Sequence, residues 1–575
     1  MSRTLHGTTD TSGPAAQAGS SWGRNDDVPA PFADLLLRGA PVYDAGRWVG
    51  DCLAVADGRI VGRGTFEDVA DLVRPGTDEL DLTGTFLLPA FHDSHVHPLS
   101  AGLEMDSCNL TGESAVDGYL ARVADSVERH PEREWVTGGG WSMGSFPRGI
   151  PSAGLLDRIC PDRPVYLPNR DHHSAWVNTR AMELAGIDAT TPDPADGRIE
   201  RDEGGTPVGV LHEGAMALVS RLIPAPDDAA LLRGLLTAQH YLHSLGIAGW
   251  QDALVGTGLG MNDSLPVYLR ACDEGRLTAK VVAALWWDRE RGPEQVEELV
   301  ARRELARGAG LRATSVKIMQ DGVCETLTAA VLEPYLDPAG RPTHQHGLSF
   351  IDPAELKEHV TALDALDFQV HVHALGDKAV RDSLDAVEHA VRRNGRRGNR
   401  HHLAHLQLVH PDDVPRFAEL DVVANAQPLW ACRDTEMVEL TLPFLTEAAR
   451  ERQYVFRSLL AAGARLAFGS DWPVSTPDPF AGMHVAVNRR DPDDADAEPL
   501  LPHERLSVVE ALAAYTEGSA YVNGLERTTG SLTVGAAADV VAVDRDVLAL
   551  EPELLHEVTV RHTFVDGVHV HDGPA

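Results

Sequence analysis

Two histidines in the segment "FHDSHVHP", His95 and His97, are spaced for metal binding. They end an apolar run of strand length, and residues two apart on a strand point to the same face. Two imidazoles on one face can share an ion, and neutral imidazole nitrogens are the usual ligands of zinc and similar metals. The pair alone is weak evidence, because two surface histidines show the same spacing.

Further residues of ligand type lie at the ends of other strand-like runs. They are Lys317, His373, His405 and Asp471. If these runs are neighbouring parallel strands, their carboxyl ends meet around one opening, where the side chains would join the two histidines. We therefore expect one centre for a divalent metal, with one or two ions.

The strand-like runs alternate with segments long enough for amphipathic helices, which is typical of repeated βα units. Eight such runs occur, the number that a (β/α)8 TIM barrel of the α/β class requires. They are "FLLPAFHDSHVHP", "GIAGWQDA", "KVVAALWW", "TSVKIMQDG", "FQVHVHALGD", "HHLAHLQLV", "DVVANAQPL" and "RLAFGSDWP".

The two ends of the chain share a different pattern. Both contain short strand-like runs of apolar and polar residues, with Gly and Asp between the runs. We expect residues 33–88 and 528–575 to form one small β-sandwich, and residues 89–527 to form the barrel. Residues 104–235 break the βα rhythm and contain two strand-like runs of their own, so we predict an insertion that walls the active site. Residues 1–32 are predicted to be a disordered tail.

Composition excludes several classes of partner. A net charge of −36 over 575 residues disfavours nucleic acid and anionic membranes as partners. The sequence shows neither a signal-peptide core nor a run of eighteen apolar residues, so we expect a cytoplasmic protein with a small-molecule substrate. Its six cysteines are scattered without a CxxC pair, which predicts buried free thiols. Homo-oligomer formation is the base-rate expectation.

Five of the segments resemble the strand motifs of the amidohydrolase superfamily: "PAFHDSHVHP", "VKIMQDG", "VHVHALGD", "HHLAHLQ" and "AFGSDWPV". The similarity is greatest to the amidohydrolase-3 branch, which contains N-substituted formamide deformylase and the YtcJ-like proteins. It spans residues 33–575, and "HHSAWVNTRAMELAGI" in the insertion shares it.

The resemblance implies a role for each candidate ligand. His95, His97, His373 and His405 correspond to metal ligands, and Asp471 to the last ligand and the proton-transfer group. Lys317 matches a lysine that is often carboxylated and bridges two metals, since a carbamate is an anionic oxygen donor whereas an ammonium is a poor ligand.

The expected chemistry is hydrolysis. A bound divalent ion lowers the pKa of its water from about 15.7 towards about 7. Asp471 would accept a proton from this water and pass it to the departing nitrogen, while His173 would help to stabilise the oxyanion.

Other polar and aromatic residues have weaker assignments. His371 is expected to face away from His373 as a core or supporting residue, and His401 and His402 to begin a strand. Asp321 is a candidate for orienting the metal shell or a substrate, or a turn residue. The candidates for an apolar pocket wall, with Trp472 favoured, are Trp141, Trp430 and Trp472.

The substrate expectation is an N-substituted formamide, cleaved to amine and formate. The alternative is a deaminase or cyclic amide hydrolase acting on a nitrogen heterocycle. Residues 374–377, "ALGD", lack the glutamate that mononuclear deaminases of the superfamily place after the fifth-strand histidine, which favours amide cleavage. "GVCETLTA" after Lys317 and Ala404 before His405 depart from the branch pattern. A non-catalytic regulatory protein on the same barrel is less expected, because all six ligand positions carry usable groups.

Overall fold

A computed structural model describes residues 31–258, 262–494 and 496–573. The predicted disordered tail falls almost wholly outside these residues. At the centre is an eight-stranded sheet in which every neighbouring pair is parallel. The strands are Phe91–Val96, Ile247–Val255, Lys280–Trp286, Arg312–Met319, Gln369–Ala374, His402–His405, Val423–Ala426 and Leu466–Phe468. Six lie within the predicted runs, and Ile247–Val255 and Arg312–Met319 overlap theirs and extend past them by two residues, so the prediction of a (β/α)8 barrel is confirmed.

These strands read as nearly continuous apolar runs because both of their faces are covered. All residues of Phe91–Val96, Ile247–Val255 and Gln369–Ala374 are buried. Helices in the connections cover the outside of the sheet, as parallel strands require. The helices in these connections include Asp228–Ser244, Leu265–Asp273, Val296–Gly308, Pro353–Ala365, Asp377–Asn394, Val414–Leu420, Phe456–Ala461 and Pro479–Asn488.

The barrel closes between its eighth and first strands through the segment that carries Asp471. The Asp471 N–H donates to the His95 carbonyl at 2.7 Å, and the His97 N–H donates to the Trp472 carbonyl at 2.9 Å. The Asp93 carboxylate accepts hydrogen bonds from the Ser470 N–H and hydroxyl. Closure thus places the two candidate ligand segments side by side.

Both ends of the chain contribute to two small sheets that share a hydrophobic cluster. One sheet joins Phe86–Pro89 to the C-terminal strands, with Val540–Val543 antiparallel to it. Because Phe86–Pro89 runs directly into the first barrel strand, the C-terminal segment helps to anchor that strand. The remaining strands of the two sheets are Leu35–Arg38, Cys52–Ala56, Arg59–Gly64, Asp78–Asp81, Val560–Val565 and Val568–Asp572.

The segment between the first two barrel strands forms a sheet of six strands, where the sequence predicted two strand-like runs. Two of the additional strands, Cys108–Asn109 and Gly197–Arg201, lack a clear apolar alternation and lie at the two edges of the sheet. A third, Pro207–Glu213, is an interior strand that was not predicted from the sequence. The others are Val136–Gly139, Val165–Pro168 and Ser174–Val177. This sheet carries His173 and Glu213 to the barrel opening.

All six cysteines are unpaired, and five of them are buried, in agreement with the prediction of free thiols; Cys272 is partly exposed. Among the described residues, no helix combines the length and the apolar character needed to cross a bilayer.

Candidate metal centre and active-site cavity

His95, His97 and Asp471 converge where the barrel closes. The Asp471 Oδ1 atom lies 3.2 Å from the His95 Nε2 and 3.0 Å from the His97 Nε2. One ligand atom from each of the three residues lies within 4.8 Å of the other two, a spacing that suits a shared ion.

His373 and His405 extend this cluster along the fifth and sixth strands. Their ring centroids are 4.4 Å apart, and the His405 ring centroid lies 4.7 Å from that of His95. The His405 Nδ1 is 3.8 Å from the Asp471 Oδ2. His405 and Asp471 both have a positive φ, 76° and 58°, which is costly for residues other than glycine and is often retained at functional sites.

Lys317 reaches the same cluster from the fourth strand. Its Nζ lies 3.3 Å from the His95 Nε2, and the side chain is buried. Burial, which disfavours the ammonium form, lowers the pKa of Lys317 to about 7. A substantial fraction of this side chain is therefore a neutral amine at neutral pH.

The prediction that His371 faces away from His373 is wrong. The His371 side chain contacts His95 and fixes its tautomer. Residues two apart share a face, and His371 points into the barrel. Its Nδ1 donates to the Gln251 Oε1 at 2.7 Å, which leaves its Nε2 to accept from the His95 Nδ1 at 2.9 Å. The His95 Nε2 then carries a lone pair directed at the cluster, as a metal ligand requires. The two-residue spacing of His371 and His373 could have revealed the direction of His371, but nothing in the sequence singles out Gln251.

His402 begins the sixth strand, as predicted, and its ring centroid lies 4.1 Å from that of His371. His401 precedes the strand, and its Nε2 lies 3.0 Å from the Asp364 Oδ1. Neither residue therefore joins the ligand cluster.

The donor set fits a divalent cation. Burial lowers the pKa of His95 to about 3 and the pKa values of His373 and His405 well below their ordinary range, so these imidazoles are neutral and have lone pairs to offer. Within the described chain, both ring nitrogens of His405 are buried without a hydrogen-bond partner. Buried polar atoms are normally satisfied, so these atoms indicate a missing electrophilic partner.

His173 approaches the cluster from the insertion. Its ring centroid is 5.6 Å from that of His373, and its Nδ1 lies 2.9 Å from the Glu213 Oε1. Burial opposes protonation of His173, but the Glu213 carboxylate outweighs it and raises the pKa of His173 to about 9. His173 is therefore a cation at neutral pH, with Nε2 as the ring nitrogen that Glu213 does not use.

Asp321 is fully buried, at 0% exposure, in the loop after the fourth strand. Its carboxylate accepts hydrogen bonds from the N–H groups of Ala330, Leu375 and Gly376 at 2.8–3.0 Å. It thereby holds the loops that follow the fourth and fifth strands, and it lies 3.9 Å from the His373 Nε2. These contacts give Asp321 a supporting position beside the metal cluster, in line with its candidate role in orienting the metal shell.

The three candidate tryptophans have different surroundings. Trp430 lines the cavity beside the cluster and stacks on His405, with centroids 5.4 Å apart. Trp472, which we favoured, packs against Tyr241 instead. Trp141 is buried in the core of the insertion, where its Nε1 donates to the Leu167 carbonyl. Of the three candidate tryptophans, it is therefore Trp430 that lines this cavity.

The cavity next to the metal cluster has a volume of about 470 Å³. The insertion contributes Thr111, Gly112, Arg170 and Asp171 to its wall, and the loops after the barrel strands supply most of the rest. Its apolar lining includes Val323, Leu375, Leu429, Trp430, Met437 and Val474. The cavity adjoins the cluster through Trp430, which stacks on the His405 ring.

Comparison with known proteins agrees with this geometry. A family model described as "Amidohydrolase family" matches residues 78–571. The chain is 33% identical to Protein LONG AFTER FAR-RED 3 of Arabidopsis thaliana, over 88% of this chain and 87% of that protein. It is 28% identical to N-substituted formamide deformylase of Arthrobacter pascens, over 93% and 98%.

A solved structure, an uncharacterized metal-dependent hydrolase from Pyrococcus furiosus, is 28% identical. It superposes with a TM-score of 0.67, with 89% of this chain and 99% of that chain covered. With the family match over most of its length and a cluster of buried metal-ligand residues at the barrel opening, the chain belongs to the amidohydrolase family and is a metal-dependent hydrolase that acts on carbon–nitrogen bonds.

Proposed function

We propose that this enzyme hydrolyses the amide bond of an N-substituted formamide, or of a similar small amide with an apolar substituent, to an amine and a carboxylic acid. The observation that carries the proposal is the group of imidazoles around Asp471, which adjoins a cavity with room for a small molecule. Four histidines, His95, His97, His373 and His405, together with Asp471, would hold the ion, and nitrogen-rich sites of this kind favour zinc.

A divalent ion held by these residues supplies Lewis acidity, which polarises the amide carbonyl and makes water acidic enough to attack at neutral pH. Asp471 supplies the base. Its neighbours His95 and His97 keep the pKa of its carboxyl group well below the ordinary value despite the opposing effect of burial. It is therefore ionised, accepts the proton of the attacking water, and returns a proton to the leaving nitrogen.

The cationic His173 complements this base on the opposite side. Its Nε2–H can donate to the carbonyl oxygen as negative charge develops there, and the pairing with Glu213 keeps that proton in place. Removing one donor to an oxyanion typically costs about 100- to 1,000-fold in rate.

Lys317 is proposed to carry a carbamate and to bridge two ions. A neutral amine is the form that adds to carbon dioxide, with a new N–C bond and the loss of one proton, and burial supplies that form by lowering the pKa of Lys317 to about 7. The modified side chain would bring anionic oxygens to the cluster, where the Lys317 Nζ already lies 3.3 Å from the His95 Nε2.

Selectivity for the acyl group is the most informative test of the substrate class. A formyl carbon bears only hydrogen, so the side of the pocket next to the cluster can be narrow while the cavity accommodates the amine substituent. Metal-replete enzyme is incubated with N-benzylformamide, N-butylformamide, their acetamide counterparts and a cyclic ureide, and amine and formate are measured. We expect kcat/KM to fall steeply from formyl to acetyl and to change less between the two amines.

Activity on the ureide without formate from either formamide would favour the cyclic amide hydrolase. Full metal occupancy with no turnover of any compound would favour a non-catalytic role.

A further inference from the structure

The cavity beside the metal cluster has an acidic wall. Its carboxylates come from the insertion, from the loop after the fourth barrel strand, from the loop after the seventh strand and from the loop after helix Pro479–Asn488. They are Asp171, Glu325, Asp434, Glu436, Asp491 and Asp493. The positively charged side chain of the lining is Arg170, and His556 also contributes.

Within the described part of the chain, no arginine, lysine or histidine nitrogen forms an ion pair with any of these six carboxylates. Glu510 and Asp413, by contrast, are paired with Arg457 and Arg381. Glu325 accepts a hydrogen bond from the Thr441 hydroxyl at 3.0 Å. Asp434 accepts one from the Met437 N–H at 2.7 Å. These neutral donors orient the carboxylates without neutralising them.

The carboxylates also repel one another. Burial, and then the negative charges of Asp171 and Glu436, raise the pKa of Glu325 to about 7. Burial, followed by Glu436, raises the pKa of Asp434 to about 7, although the Met437 N–H and the charge of Arg170 oppose this rise. A wall of this kind costs stability unless a cation joins it, because like charges at low dielectric destabilise each other.

An independent observation in the same cavity is Gln407, which lies two residues beyond His405. It is fully buried, at 0% exposure, and lines the cavity. Across the described residues, neither its side-chain oxygen nor its side-chain nitrogen has a hydrogen-bond partner. A buried amide normally finds partners, so Gln407 indicates a polar group that the substrate brings.

We propose that the substrate carries a cationic group, an alkylammonium or a guanidinium, on the amine side of the scissile amide. The cation binds the acidic wall around Glu325 and Asp434, its apolar stem lies against Trp430, and Gln407 accepts one of its N–H groups. This inference rests on the proposed amide hydrolysis and narrows its substrate class. An anionic substituent is disfavoured by the same six carboxylates.

The first experiment compares three formamides of similar length with metal-replete enzyme: N-(4-aminobutyl)formamide, N-pentylformamide and N-formyl-4-aminobutyrate. The first is cationic, the second neutral and the third anionic at pH 7.5. We expect kcat/KM to be at least about 10-fold higher for the cation than for the neutral compound, the scale of a close charge pair, and the anion to be poorest. Equal values for the cationic and neutral compounds would overturn the inference and leave amide hydrolysis intact.

The second experiment removes wall charges with isosteric substitutions, Glu325→Gln and Asp434→Asn, singly and together. The readout is the ratio of kcat/KM for the cationic compound to that for the neutral compound, which is insensitive to a general loss of active enzyme. The double variant should reduce this ratio at least about 10-fold. Glu358→Gln removes one carboxylate, as each single variant does, at a helix residue with 66% side-chain exposure; it is the matched control for the single variants and should leave the ratio unchanged.

Binding is measured separately from turnover, by calorimetric titration of the full-length protein with 1,4-diaminobutane or with 1-butanol. Saturable binding of the diamine alone, weakened in the Glu325→Gln/Asp434→Asn variant, supports the acidic wall even if no formamide is cleaved, and in that case amide hydrolysis is the proposal that fails. Diamine binding that is absent, or that the double variant retains unchanged, would overturn the inference whatever the turnover.

Discussion

The pairing of His173 with Glu213 makes the pH dependence of activity a direct test of the oxyanion role. With Glu213 2.9 Å away, the pKa of His173 is raised to about 9. Glu213→Gln keeps the shape and a hydrogen-bond acceptor but removes the negative charge. The effect of burial, which disfavours protonated His173, is then opposed much less, and the pKa of His173 should fall towards the ordinary value of about 6.5. A fall of this size in the pKa of His173 corresponds to about 3 kcal/mol.

The sign of the effect follows from which form acts. The protonated imidazole donates to the oxyanion, so activity needs a pH below the pKa of His173. At pH 7.5 the protonated fraction should drop from above about 95% to about 10%, and kcat/KM should fall about 10-fold. Near pH 6 the variant should recover much of this loss, because His95, His373 and His405 remain neutral there.

The measurement is kcat/KM of the native enzyme and of Glu213→Gln from pH 6 to 9.5, expressed as a ratio so that groups common to both cancel. Spectra of enzyme labelled with ¹⁵N-histidine, assigned with a His173→Gln variant, report the pKa itself. Glu200→Gln is the matched control, because it removes the carboxylate from a second histidine–glutamate pair of the insertion, with His212 at 3.0 Å. A ratio that stays constant across the pH range would refute the assignment of His173.

Three further predictions concern the metal cluster. Asp471→Asn should keep most of the metal but lower kcat at least about 100-fold, the scale of general acid–base catalysis; near-native turnover at every pH would contradict the role of Asp471. Replacing His95 and His97 together with alanine should remove metal as well as activity, which elemental analysis of the purified protein checks; full occupancy would show that the ion is held elsewhere. Enzyme prepared with ¹³C-bicarbonate should show a carbamate carbon signal in NMR that Lys317→Met lacks, and a native spectrum without the signal would leave Lys317 as a plain amine and the centre mononuclear.

Most of the barrel strands can be predicted from short stretches of the sequence. A buried parallel strand needs apolar side chains on both faces, so runs such as "TSVKIMQDG" are visible without any tertiary information. The spacing of His95 and His97 is equally local, because it follows from the two-residue period of a strand. The number and order of the runs then predict which segments meet at the barrel opening.

The strands of the insertion were harder to predict from the sequence, because its short edge strands have little hydrophobic periodicity. Cys108–Asn109 has two residues, and Gly197–Arg201 is mostly half-exposed. The misplacement of His371 has a different origin. The period-two rule, applied to His371 and His373 as it was to His95 and His97, puts both on the same face, and the structure shows His371 pointing into the barrel.

What the amino-acid sequence determined by itself is therefore the set of barrel strands and the candidate ligands at their ends, because both depend on patterns a few residues long. The tertiary structure alone decided how the side chains are used. The relay from Gln251 through His371 to His95 joins three barrel strands, and the pair of His173 with Glu213 joins residues 40 positions apart. The choice of Trp430 over Trp472 and the gathering of six carboxylates around one cavity likewise depend on distances between remote segments. Such distances are set by the packing of the whole barrel and its insertion, so they cannot be inferred from a local sequence pattern.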